Sequence, residues 1–494
     1  MIKKLASGKL AWLIPGVLAV MALAALGIWF AGGMEGLALR KPGTDRGPDN
    51  ELGTNGNAVL AGAVVRSEPQ PDLAEAGKLP GAWPQFRGPN RDAVSQETVS
   101  LLRTWQAAEP RELWSVEVGE GYAGAAVLNG RVYVMDYFRK EKRDALRCLS
   151  LADGHELWRY AYPVSIKRNH GMTRTVPSVT EKLVVAIGPK CHVVCCDPLT
   201  GDLRWGLDLV KQFGTTIPPW YAGQCPLVEN GAVILAPAGK EVLMVAVDGQ
   251  TGTNLWQTPN PHGWKMTHSS IMPMEFEGER MYVYCANNGV VGVSAKDGRI
   301  LWETTDWKIS IATVPSPLVL EGGRIFLTGG YDAGSLMLQL KKEGDKFTAQ
   351  AVFKLAPGVF GAIQHTPVLY QNHLYGVRQD GRFVCLTPDG KPVWASDSSQ
   401  QFGLGSFLEA DGLIFAMNDK GLLRLLEASP QKYNVLAQAQ VLKLESSETQ
   451  AEGTSANASE KKPIGDSWAP LALAGGRLIV RDLTRMVCLD VAKR

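Results

Sequence analysis

One six-residue ending recurs along this chain and constrains its fold more than any other feature. Asp153-Gly-His-Glu-Leu-Trp158, Thr200-Gly-Asp-Leu-Arg-Trp205, Thr251-Gly-Thr-Asn-Leu-Trp256, Asp297-Gly-Arg-Ile-Leu-Trp302 and Asp389-Gly-Lys-Pro-Val-Trp394 each set glycine four residues before tryptophan. Self-similarity at a fixed period marks a repeat architecture. The tryptophans are spaced by 47, 51, 46 and 92 residues, so one degenerate copy is expected between Trp302 and Trp394. Glu343-Gly-Asp-Lys-Phe-Thr348 fits that copy, with Thr348 in the tryptophan position. Inside each unit, short apolar runs such as Gly130-Arg-Val-Tyr-Val134 and Gly323-Arg-Ile-Phe-Leu327 alternate with turn residues and read as four antiparallel strands. A lone four-stranded unit leaves an apolar face uncovered, so the units must pack around an axis. Four strands in about 46 residues is the signature of a β-propeller.

The units begin near residues 124, 175, 223, 268, 314, 364, 404 and 467, which makes eight. The last ends after three strands. A spare strand, Arg111-Glu-Leu-Trp-Ser-Val-Glu-Val118, precedes the first, and its Trp114 lies 44 residues before Trp158. The expected fold is therefore all-β: an eight-bladed β-propeller of four-stranded antiparallel blades over residues 112–494, closed by an N-terminal strand. The 53 glycines and 29 prolines suit so turn-rich a chain.

Ahead of the propeller, Leu10 to Met34 carry no charge. As a helix of about 37 Å they would cross a bilayer, and Trp12, Trp29 and Phe30 sit where an aromatic belt belongs. Lys3, Lys4 and Lys9 in residues 1–9 place that end in the cytoplasm and the propeller across the membrane, in the periplasm or another extracytoplasmic space. The rival reading is a cleaved signal peptide ending at Ala22-Leu23-Ala24, but the uncharged run exceeds a usual h-region. Residues 35–82 read as a flexible linker and 83–111 as a lead-in segment. Residues 445–463, with no large apolar side chain, read as a disordered insertion. Lys+Arg at 51 against Asp+Glu at 49 argues against a nucleic-acid partner.

The Asp/Thr-Gly-x-x-x-Trp endings and the ring closure resemble the PQQ-type propeller repeat of the quinoprotein superfamily. Its members include pyrroloquinoline-quinone (PQQ) dehydrogenases and the BamB-like propellers of outer-membrane barrel assembly, which are not enzymes. The segment Trp83-Pro-Gln-Phe-Arg-Gly-Pro-Asn-Arg-Asp92 is similar to the lead-in of membrane-anchored bacterial members. The resemblance implies a binding or scaffolding module for protein partners or a small ligand, or alternatively a PQQ-dependent dehydrogenase or a degenerate relative of one. The dehydrogenase reading requires PQQ, calcium held by oxygen ligands, and a carboxylate base. No such triad can be matched here residue by residue, and no metal ligands are assigned. No Cys-x-x-Cys or Cys-x-x-Cys-His is present either.

Adjacent Cys195 and Cys196 raise the question of a vicinal disulfide, which in PQQ dehydrogenases covers the cofactor. Aligned on the turn glycines, Cys148, Cys195, Cys385 and Cys488 share one repeat site that favours small residues, filled elsewhere by Ala246 and Gly292. Neighbours on a strand face opposite ways, so the pair is expected to be two unbonded core thiols.

Ligand chemistry in a propeller gathers where inter-blade connections meet over the channel. Here those connections are rich in histidine and tryptophan. Arg174, Trp220, Gln224, Trp264, Lys265, His268, His365 and Trp468 are the expected lining of a funnel for a planar or anionic ligand. The competing reading makes them packing that plugs the channel.

Overall fold

In the computed structural model, residues 60–67, 79–106, 110–442 and 466–493 are described. They fold into eight antiparallel sheets, seven of four strands and one of five. Blade 1 holds the strands Ala126–Leu128, Arg131–Phe138, Arg143–Ser150 and Glu156–Pro163. Successive blades begin at Ser178, Leu227, Met272, Leu318, Val368, Phe407 and Ala472. The final sheet pairs Ala472–Ala474, Arg477–Arg481 and Arg485–Asp490 with Arg111–Glu117, so the N-terminal strand completes blade 8 as expected. Among the described residues no helix is long and apolar enough to cross a membrane. The expected span 10–34, most of the linker and the insertion 445–463 lie outside them.

The core lies between blades rather than at one centre, and the repeated tryptophan is its staple. Trp158 packs its ring on Gly201 of blade 2, and a Cβ at that glycine would stand 2.6 Å from the indole. Its Nε1 donates to Pro198 O at 3.2 Å. Trp114 and Trp205 repeat the arrangement on Gly154 and Gly252, donating to Leu151 O and Gly249 O at 2.9 Å each. The turn glycine holds a positive φ, +76° at Gly201, which L side chains rarely adopt.

Blade 5 departs from the sequence expectation. The register bulge that immediately precedes each tryptophan in the chain falls there at Val352, just before Phe353 and opposite Met337 and Leu338. Phe353, not Thr348, therefore occupies the tryptophan position, and its ring meets Gly390 of blade 6. The hairpin Gly334–Glu343 and Lys346–Leu355 is longer than its counterparts, so counting from the turn glycine missed by five residues. Trp302, which faces this hairpin, bonds the Met281 sulfur of its own blade instead.

A second inter-blade device links the entries to successive inner strands. Val176 N–H donates to Cys225 Sγ, Cys225 N–H to Ser270 Oγ, Ser270 N–H to Ser316 Oγ, and Ser316 N–H to Thr366 Oγ1. Each bond joins the entry to one inner strand with the equivalent residue of the next blade, tying blades 2 to 6 together.

Part of the stretch read as linker is built into the propeller. Ala63–Arg66 pairs with the outer strand of blade 1 as its fifth strand. Leu60 is fully buried, its methyl resting where Gly206 has no Cβ, and Arg66 pairs with Asp202. Four residues, Ala-Val-Val-Arg, were too short a run to stand out from a linker.

All eight cysteines are buried free thiols. Cys195 faces blade 3, with its Sγ 3.6 Å from Gly249 O, while Cys196 belongs to the hydrophobic cluster on the blade 1 side. Burial pushes the Cys195 thiol up to about 12 and holds the Cys196 thiol well above its ordinary value. The pair is core.

Candidate functional site

The lead-in segment determines what kind of cavity the ring encloses. Trp83 exchanges both backbone bonds with Val127 on the inner strand of blade 1, at 2.8 Å each. Pro84 O accepts from Val179 of blade 2, and Val94 bridges Glu409 of blade 7. Arg87 donates to Thr366 O and Pro367 O of blade 6, while Arg91 donates to Pro226 O of blade 3. Beyond them, Glu97 accepts from Gly475 N–H and Asp411 accepts from Leu101 N–H, both at turns joining first and second strands. The segment thus seals one end of the channel.

Above this floor the inter-blade connections enclose a cavity of about 380 Å³. Such a volume lies within the range of small-ligand sites, about 300–1,000 Å³. Phe86 and Arg87 form its bottom, and exposed His170 and Tyr331 (37% exposed) form part of its lip. It is a blind funnel.

Aromatic rings dominate its wall. Tyr122 and Trp468 stack with centroids 4.9 Å apart, and the Arg174 guanidinium lies 5.7 Å over the Tyr122 ring. Trp468 is fixed by donating from Nε1 to Asp419 Oδ1 at 2.9 Å. Trp220 leans toward His268 at 6.2 Å. Arg174 donates to the carbonyls of Asn169 and His170 at 2.9 and 2.7 Å, and Arg87 likewise donates to carbonyls. Burial lowers both guanidinium groups to about 10, so both stay charged at neutral pH. Burial also drops His268 and His365 to about 4, leaving both imidazoles neutral. His365 bonds Leu404 O, whereas His268 Nε2 has no partner.

Sequence comparison places this geometry in a family. A family model described as outer membrane protein assembly factor BamB matches residues 86–216 and 142–343, together just over half of the chain. The chain belongs to the BamB family. No curated protein sequence matches it. Among solved structures, BamB from Moraxella catarrhalis superposes with a TM-score of 0.52 at 12% identity, covering 76% of this chain and 99% of that one. The computationally designed protein Ika8 gives 0.49 at 10% identity, covering 77% and 99%. A quinohemoprotein alcohol dehydrogenase from Pseudomonas putida gives 0.40 at 12%, covering 85% and 82%. At these identities the likeness concerns the fold alone.

On this BamB-family propeller, five of the eight expected residues, Arg174, Trp220, His268, His365 and Trp468, line the funnel. The other three do not. Gln224 is buried and bonds both ways with the backbone of Ala236. Trp264 packs in the core against Gly289, with Asn260 bonding its N–H and carbonyl. Lys265 points to solvent. A sequence places residues in a connection but not their direction, and Trp264 sits four positions from His268 on the other side of its loop. The lead-in contributors Trp83, Phe86 and Arg87 were missed, as were Tyr122, Tyr331 and Phe407. The dipeptides Cys225-Pro226, Ser316-Pro317 and Thr366-Pro367 recur with the blades and could have marked the residues whose hydrogen bonds tie blades 2 to 6 together.

The funnel's donors can be compared with those calcium and PQQ require. Calcium takes six to eight oxygen ligands rich in carboxylate. The lining holds no Asp, Glu or Asn, and among the described residues no three His, Cys, Asp or Glu side chains converge as metal ligands. The residues present do not fit the calcium–PQQ pair.

Proposed function

We propose that this protein is a membrane-anchored, extracytoplasmic binding propeller whose blind funnel receives an aromatic group, without chemistry of its own. The observation that carries the reading is the wall: stacked Tyr122–Trp468 with Trp220, guanidinium groups committed to backbone carbonyls, and no carboxylate. Aromatic faces bind flat partners by area and quadrupole, and the neutral imidazoles add no charge. Placement outside the cytoplasm rests on the uncharged run 10–34 behind Lys3, Lys4 and Lys9. It predicts that protease added to intact spheroplasts cleaves the propeller. The family's name supports a role with protein partners.

Calorimetric titration of the full-length protein with indole tests the funnel. Saturable one-site binding that Trp220→Ala abolishes is expected, and heat unaffected by that substitution would contradict it.

A further inference from the structure

The channel is already half filled by polypeptide, and the manner of its filling identifies what the other half suits. The lead-in enters as an irregular chain that bonds the channel-facing edges of inner strands: Trp83 with Val127, Pro84 with Val179, and Val94 with Glu409. It fills the space with Trp83 and Phe86, and anchors Arg87 by carbonyls. Inner strands stand at the ends of their sheets, so each keeps one edge toward the channel. Such an edge is a ready partner for an extended chain.

We infer that the open half of the funnel is a docking site for an extended segment of a protein partner, which inserts one bulky aromatic side chain. The inference rests on the binding function proposed above and names the partner's chemistry. Two observations favour this occupant over a small anion, and a third restricts the residues beside its aromatic side chain. Arg87 and Arg174 already direct their donors to backbone carbonyls, so a carboxylate finds no fork to bind. The wall's formal charges are positive, which disfavours Lys or Arg beside the aromatic residue of the segment. The lip carries Tyr331, 37% exposed, and Ile311, 57% exposed, adjoins the lining residue Ala312 in the chain. Tyr331 and Asp332 both hold left-handed φ, +57° and +63°, which fixes this turn in a conformation side chains rarely adopt.

The probe is a fluorescein-labelled Ser–Gly nonapeptide, acetylated and amidated, with one central tryptophan, titrated against the full-length protein by anisotropy. Controls carry central alanine or central lysine. The tryptophan peptide should bind at least tenfold more tightly than either control. Trp220→Ala and, separately, Tyr331→Ala should each weaken it at least fivefold while leaving the melting temperature within about 2 °C. Equal binding of the three peptides, or binding that neither substitution changes, overturns the inference. Saturable indole binding without peptide discrimination removes the inference and leaves the funnel as a small-molecule site. If neither indole nor peptide binds, both readings fall.

Discussion

Gly201 offers the sharpest test of how the blades hold together. Replacing it with alanine has two separable costs. Its φ of +76° places an L side chain in the left-handed region, at about 1–2 kcal/mol. The new Cβ would also stand 2.6 Å from Cδ2 and Cε3 of Trp158, closer than carbon atoms approach, and such overpacking adds about 1–3 kcal/mol. Gly263 isolates the first cost, because its φ is +60° and nothing lies within 4 Å of its ideal Cβ. Unfolding entropy near 2 cal/mol/K per residue gives roughly 0.8 kcal/mol per degree for a propeller of this size. Gly263→Ala should then lower the melting midpoint by about 1–2 °C and Gly201→Ala by about 3–6 °C, from the same estimate. Scanning calorimetry of the full-length variants measures both. Equal shifts would mean that the indole does not stand on the glycine, and the staple would be refuted.

Other consequences follow from buried groups. Asp144 is fully buried and burial holds its carboxyl well above the ordinary value, so folding favours its protonated form. Its contribution is therefore full below about pH 4 and is lost as pH rises toward the folded value. Asp144→Asn should match the parent near pH 4 and exceed it by about 1–2 kcal/mol at pH 8, measured by denaturant midpoints. All eight thiols should resist Ellman's reagent for minutes in the native protein and react in guanidinium; a fast-reacting pair at Cys195–Cys196 would remove them from the core. Because His268 and His365 are neutral above about pH 4, ligand binding in the funnel should be flat from pH 5.5 to 8. An inflection near pH 6.5 that persists when the exposed lip residue is replaced, in His170→Gln, would show that one of them is accessible and titrates as an ordinary histidine. Leu60→Ser should release the strand Ala63–Arg66 and expose it to limited proteolysis without lowering the midpoint of the remaining blades.

What could be read from the sequence was whatever the repeat enforces. Trp158, Trp205 and Trp256 each stand on the next blade's turn glycine, and so announced both period and strand order. Blade 5 escaped because its staple is Phe353 on a lengthened hairpin, and periodicity cannot reveal a length change inside a unit. The strand Ala63–Arg66 escaped because its stability comes from Leu60 and from pairing with a strand almost a hundred residues away. The funnel was half legible. Composition marked the connections, yet whether Trp220 or Trp264 faces the channel depends on Asn260 holding the latter's backbone. The floor was hidden for a different reason: Trp83 and Arg87 act through backbone groups on the inner strand of blade 1 and at the entry to that of blade 6, which no local pattern records.

On the proposed reading this funnel binds by aromatic contact and is not a seat for calcium and quinone. Titration of the full-length protein with PQQ, with and without calcium, followed by tryptophan fluorescence, tests it most directly. No saturable calcium-dependent response is predicted, because the lining offers no carboxylate to the metal. Saturable quenching that requires calcium and disappears in Trp468→Phe would contradict the claim and turn the search toward a dehydrogenase.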